Sequence, residues 1–177
     1  NITQDDLILV SRDIGAHGAT IFTAREGMDM HSNLKSDCNS LYPQVKALID
    51  SGVKITALRD ATRGGVSAVL NEWAKQSNIC IEVEEEQIPI SDEVKGICEM
   101  LGFEATNLAN EGTFVLAIPR NYATKAIEVL HKFEEASNAS IIGKVTAQYP
   151  QKVILNSSWG TKRFLDTPTG ELLPRIC

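Results

Sequence analysis

Short apolar runs alternate with helically spaced apolar residues along this chain, and that alternation narrows the folds open to it more than any other feature. Leu7 to Ser11, Val53 to Leu58, Ile79 to Val83, Thr113 to Ile118, Ile141-Ile142, Val153 to Leu155 and Phe164-Leu165 read as strands. Between them lie a helix-like stretch to about Glu26 and a helical pattern of Leu41, Val45, Leu48 and Ile49 that ends near Gly52. A third helix has the face Val66, Val69, Leu70, Trp73 and Ala74, and a fourth runs from Val94 to Leu101, stopped by Gly102. A fifth buries Ala123, Ala126, Ile127, Leu130 and Phe133. A strand buries a face and a helix buries a stripe, so the pattern predicts helices packed on a sheet in a layered α/β or α+β domain. No repeat of fixed period breaks it. With 43% hydrophobic residues in 177, the chain has the material for a core of that size. From Asp166 onward the periodicity stops, which divides the chain into a domain over 1–165 and a mobile tail over 166–177.

The charge balance is acidic, 17 basic against 23 acidic residues for a net −6, and no basic stripe argues for nucleic acid. No apolar run approaches the length of a membrane span, and the opening residues do not read as a signal peptide. Cys38, Cys80, Cys98 and Cys177 are scattered without metal-ligand spacing, a usage that suits a reducing cytoplasm. Cys80 and Cys98 sit among apolar neighbours and read as buried small hydrophobes. The histidines His17, His31 and His131 are too dispersed for a zinc site, and the run Glu82, Glu84, Glu85, Glu86 reads as a solvated strand end.

Four places carry possible chemistry. The segment from Lys54 to Val66 runs strand, loop, helix, and Gly64-Gly65 would let backbone N–H groups at a helix start approach an anion. Arg63 adds a fork of donors suited to phosphate, and Asp60 would offer one oxygen to Mg2+. The same residues also make a plain turn with Asp60 or Thr62 as helix cap. In Asn107 to Gly112, Glu111 is either a general base or a turn residue beside Gly112. Gly15-Ala16-His17-Gly18 opens a helix, with His17 a phosphate donor, an acid or a bystander. Last, Cys177 ends the run Pro174-Arg175-Ile176-Cys177, where Pro174 keeps the chain extended. A thiol on a terminal residue suits carrying a group into a pocket and out again, though an inert exposed thiol or an intermolecular disulfide has the same address.

Taken together and in this order, Leu9-Val10-Ser11 to Gly18, Asp60-Ala61-Thr62-Arg63-Gly64-Gly65, Asn110-Glu111-Gly112 and Pro174-Arg175-Ile176-Cys177 resemble the hydrogenase maturation factor family HypE. The resemblance implies an α+β fold, a three-layer α/β/α domain of the aminoimidazole ribonucleotide synthetase C-terminal type, partly ferredoxin-like, with a flexible tail. It also implies that the chain corresponds to the C-terminal domain alone, without the N-terminal domain that supplies most of the ATP site and the homodimer contact. The implied chemistry begins when a HypF-type carbamoyltransferase loads a carbamoyl group on Cys177. ATP with Mg2+ then drives its dehydration to a thiocyanate, and the cyanide passes to iron on a HypC–HypD complex for the [NiFe]-hydrogenase centre. On this view Glu111 is the base, Asp60 a Mg2+–phosphate residue, Arg63, Gly64 and Gly65 steady phosphates, and His17 neighbours the site. Two rivals are another ATP-dependent synthetase of the superfamily and a carrier module that catalyses nothing. The isolated chain is expected to hydrolyse little ATP.

Overall fold

The alternation resolves into one mixed sheet with helices on both faces, seen in a computed structural model that describes residues 1–27 and 34–167. The strands are β1 (Leu7–Val10), β2 (Ala57–Asp60), β3 (Cys80–Glu84), β4 (Phe114–Ile118), β5 (Ser140–Thr146), β6 (Lys152–Asn156) and β7 (Lys162–Phe164). Their order across the sheet is β2-β4-β1-β5-β3-β6-β7. Neighbours run antiparallel except β3 and β6, which are parallel. The helices are α1 (Ala16–Arg25), α2 (Tyr42–Asp50), α3 (Gly65–Ser77), α4 (Asp92–Leu101) and α5 (Ala123–Leu130).

Two separate apolar clusters show why the layers stack this way. In β1, Ile8 and Val10 join α1, α3 and α4 in one cluster, whereas Leu7 and Leu9 join α2 and α5 in the other. β4 divides likewise, with Val115 and Ala117 on the first side and Phe114, Leu116 and Ile118 on the second. Central strands of this kind bury both faces, so their sequences are continuously apolar. The result is the three-layer α/β/α arrangement expected for the chain. In β5 the pairing with β1 slips between Ile8 and Leu9, and the extra residue lets Ile142 and Val145, three apart, share one cluster.

Some local expectations shift. The second strand begins at Ala57 and carries Asp60 within it, whereas Val53 is buried as part of the approach from α2, where its N–H bonds the Leu48 carbonyl. Val129 takes a buried place on α5, and Ile127 is only partly covered. In the acidic run, Glu84, Glu85 and Glu86 are exposed, but Glu82 is buried inside β3, between β5 and β6. Cys80 and Cys98 are buried, and burial raises the Cys98 pKa. No described helix is long and apolar enough to cross a membrane. The expected tail reaches past the described residues, and Cys177 lies outside them.

Candidate functional site

Strand direction brings three of the four singled-out segments to one edge of the sheet. β4 runs antiparallel to both β1 and β2, with Val10 opposite Val115 and Asp60 opposite Phe114. The loops leaving β1 and β2 therefore meet the loop entering β4. Asn110 ties them together with its side chain fully enclosed. Its Oδ1 accepts from the Gly15 N–H at 2.7 Å, and its Nδ2 donates to the carbonyls of Ala61 at 2.8 Å and Leu108 at 3.1 Å. The Ala61 N–H reaches the Thr113 carbonyl at 2.9 Å, and the Gly18 N–H reaches that of Ala109, also at 2.9 Å.

Two helices begin at this junction, each in the same manner. α1 starts after Gly15 and α3 after Gly64, both glycines in the left-handed region at φ 86° and 72°, and no side chain caps either helix. Neither Asp60 nor Thr62 plays that part. Neither first turn contains an acidic residue. By contrast α4, which has Asp92 and Glu93 in its first turn, is capped by Ser91, whose Oγ accepts from the Val94 N–H. The two helix starts bring their positive dipole ends to the place where the loops meet, with the Gly18 N–H already given to the Ala109 carbonyl and the Gly65 N–H to that of Thr62. Gly65 has a different task, because a Cβ there would stand 2.5 Å from the carbonyl oxygens of both Thr106 and Leu108. Its missing side chain makes room for the chain itself.

The charged candidates surround this frame without being drawn into it. Asp60, Arg63 and Glu111 are exposed. His17 lies in the first turn of α1 and shares a 2.8 Å hydrogen bond between its Nδ1 and Ser36 Oγ. Asp60 stands at the end of the edge strand β2, and no group of three or more potential metal ligands forms among the described residues. One exposed carboxylate still fits Mg2+, which commonly takes one or two carboxylates and completes its shell with water and phosphate oxygens.

Asp37 belongs to the site and was not singled out in the sequence. It is 3% exposed and accepts from the N–H of Glu111 at 3.0 Å, the N–H of Gly112 at 3.0 Å and the Thr113 hydroxyl at 2.7 Å. Gly112 also has a steric reason to be glycine, since a Cβ would overlap the Asp37 carbonyl. Nothing periodic or spaced marks Asp37, which sits in an irregular stretch 74 residues from its partner Glu111. A depression of about 720 Å³ lined by Asp6, Lys54, Thr56 and Arg120 lies at the opposite end of these strands and takes no part.

A mixed sheet covered by helices on both faces, with two glycine-started helices meeting a buried asparagine at one end of its strands, defines an α/β/α domain of the AIR synthase C-terminal class. The chain belongs to the family AIR synthase related protein, C-terminal domain, whose model matches residues 3–156. Within it, the chain is similar to carbamoyl dehydratase HypE of Escherichia coli, 45% identical over 177 residues, which cover 99% of this chain and 52% of that protein. It is also similar to a solved hydrogenase maturation protein HypE in complex with ATP (TM-score 0.93, 34% identity, 99% of this chain and 54% of that one). A solved HypE–HypF complex matches at TM-score 0.90 and 38% identity, covering 95% and 54%. The chain thus spans about half the length of the curated relatives it matches.

Proposed function

We propose that this chain is the C-terminal part of an ATP-dependent dehydratase of [NiFe]-hydrogenase maturation, one that carries a carbamoyl group on Cys177 and converts it to a thiocyanate. The observation that carries the reading is the convergence of the two uncapped helix starts and the acidic loop on one buried side chain, Asn110. The similarity to HypE along the whole chain supports it.

In this reading ATP supplies a phosphoryl group that turns the amide oxygen of the carbamoyl group into a leaving group, and Mg2+ offsets phosphate charge. The residues of the chain do the rest. Cys177 holds the carbon through its sulfur. Arg63 and the backbone N–H of Gly64 offer donors to phosphate oxygens, with His17 beside them, whereas Gly65, expected to share that part, is buried and gives its N–H to the Thr62 carbonyl. Asp60 would hold the metal through one oxygen. Transfer of the phosphoryl group to the carbamoyl oxygen releases one N–H proton and gives S–C(=NH)–OPO3, and Glu111 removes the second N–H proton as phosphate departs, leaving S–C≡N with the oxygen on phosphate. A HypF-type carbamoyltransferase is the donor of the carbamoyl group, a HypC–HypD complex the acceptor of the cyanide, and the full-length protein a homodimer in the cytoplasm.

The test is mass spectrometry of the C-terminal peptide after incubation of the full-length protein with the carbamoyltransferase, carbamoyl phosphate and MgATP. The expected result is a carbamoyl adduct confined to Cys177, followed by loss of water. Glu111→Gln is expected to keep the adduct and stop the loss. An unmodified Cys177 would overturn the reading, and dehydration by Glu111→Gln at the wild-type rate would remove Glu111 from it.

A further inference from the structure

We infer that Asp37 is the positioning residue of the dehydration step: it sets the place of Glu111 by holding the backbone on which that carboxylate rides. The inference rests on the reading of Glu111 as base. Of the three residues Asn110-Glu111-Gly112, the first is anchored through its side chain and the third is pressed against the Asp37 backbone. Glu111 is the exposed one, and its backbone N–H donates to Asp37 Oδ1. The carboxylate of Asp37 spans the loop, with Oδ1 on Glu111 and Oδ2 on both Gly112 and Thr113.

The stretch that bears Asp37 is itself held at the site. Ser36 shares a hydrogen bond with His17 on α1 and accepts the Cys38 N–H at 3.1 Å. Asp37 thus links the start of α1 to the acidic loop. A general base must lie within hydrogen-bond reach of its proton, and displacement by about 1 Å lowers rates by about a hundredfold. An amide in place of this carboxylate has one acceptor where the loop presents three donors. Its NH2 group would then face the donor of Glu111 or those of Gly112 and Thr113, whichever way it turned.

Asp37→Asn in the full-length protein tests this. Cys177 is first carbamoylated, and single-turnover dehydration is then followed across MgATP concentrations. The expected outcome is adduct formation at the wild-type rate, an unchanged half-saturating ATP concentration, and dehydration slower by roughly tenfold to a hundredfold. Thr113→Val, which removes one of the three bonds, is the second variant if Asp37→Asn does not fold, and should show a smaller fall of the same kind. Thr113→Ser should restore the rate. Adduct formation and dehydration falling together would mean a merely structural part and overturn the inference. Wild-type dehydration by Asp37→Asn while Glu111→Gln is inactive would overturn it and leave the base in place. Wild-type dehydration by Glu111→Gln would end both.

Discussion

The side chain of Asn110 is fully enclosed and its amide is engaged at both ends, by Gly15 on one side and by Ala61 and Leu108 on the other. Asn110→Ala would leave a buried N–H without an acceptor and weaken two carbonyls, at a cost on the order of 2–4 kcal/mol. Urea unfolding should show the loss as a lower midpoint. Glu111→Gln, exposed and one residue away, should leave that midpoint where it was. At this scale the sequence shows which loops matter but not what each residue does in them. Asn110 and Glu111 are adjacent polar residues in one loop, and only the enclosure of one and the exposure of the other tells anchor from reactive group. Asp37 was invisible for a related reason, since its partners lie 74 to 76 residues away.

Helix starts carry the argument at the next scale. α4 begins with Ser91 as cap and two acidic residues, whereas α1 and α3 begin with glycines and neither. Ser91→Ala should lower stability by about 1 kcal/mol and leave ATP dependence untouched. Gly65→Ala places a Cβ against two carbonyls at φ 61°, which should cost on the order of 3 kcal/mol and weaken ATP half-saturation as the start of α3 moves. Denaturation and ATP titration of both variants check the contrast. Most elements were legible because their apolar periodicity is dictated by the two clusters they serve. The second strand was displaced because Val53 and Ile55 look like strand residues yet serve the α2 side of the core from an irregular segment. Pairing begins only at Thr56, whose N–H meets the Ala117 carbonyl.

For the whole molecule, burial withdraws two cysteines from chemistry, Cys98 within the first apolar cluster and Cys80 inside β3 between its two neighbouring strands. Cys80 and Cys98 are buried and Cys38 is exposed. A maleimide should modify Cys38 in the native protein at once, and Cys80 and Cys98 only on unfolding, as peptide mass mapping would show. Burial raises the Cys98 pKa above its ordinary 9.0, so the folded state holds that proton where the unfolded chain has begun to lose it. The contribution is therefore complete below about pH 9 and declines as the pH rises beyond it, and Cys98→Ala should flatten the decline in a pH series of unfolding midpoints.

The tie made by Asn110 also has a consequence in time. It joins positions 15, 61 and 110, separations of 95 and 49 residues, across strands that come from both halves of the chain. A growing polypeptide that has been made only as far as α4 holds both glycine-started helices but neither the asparagine that locks them nor β4, which separates β1 from β2. The junction of the two helix starts therefore forms late in synthesis and all at once.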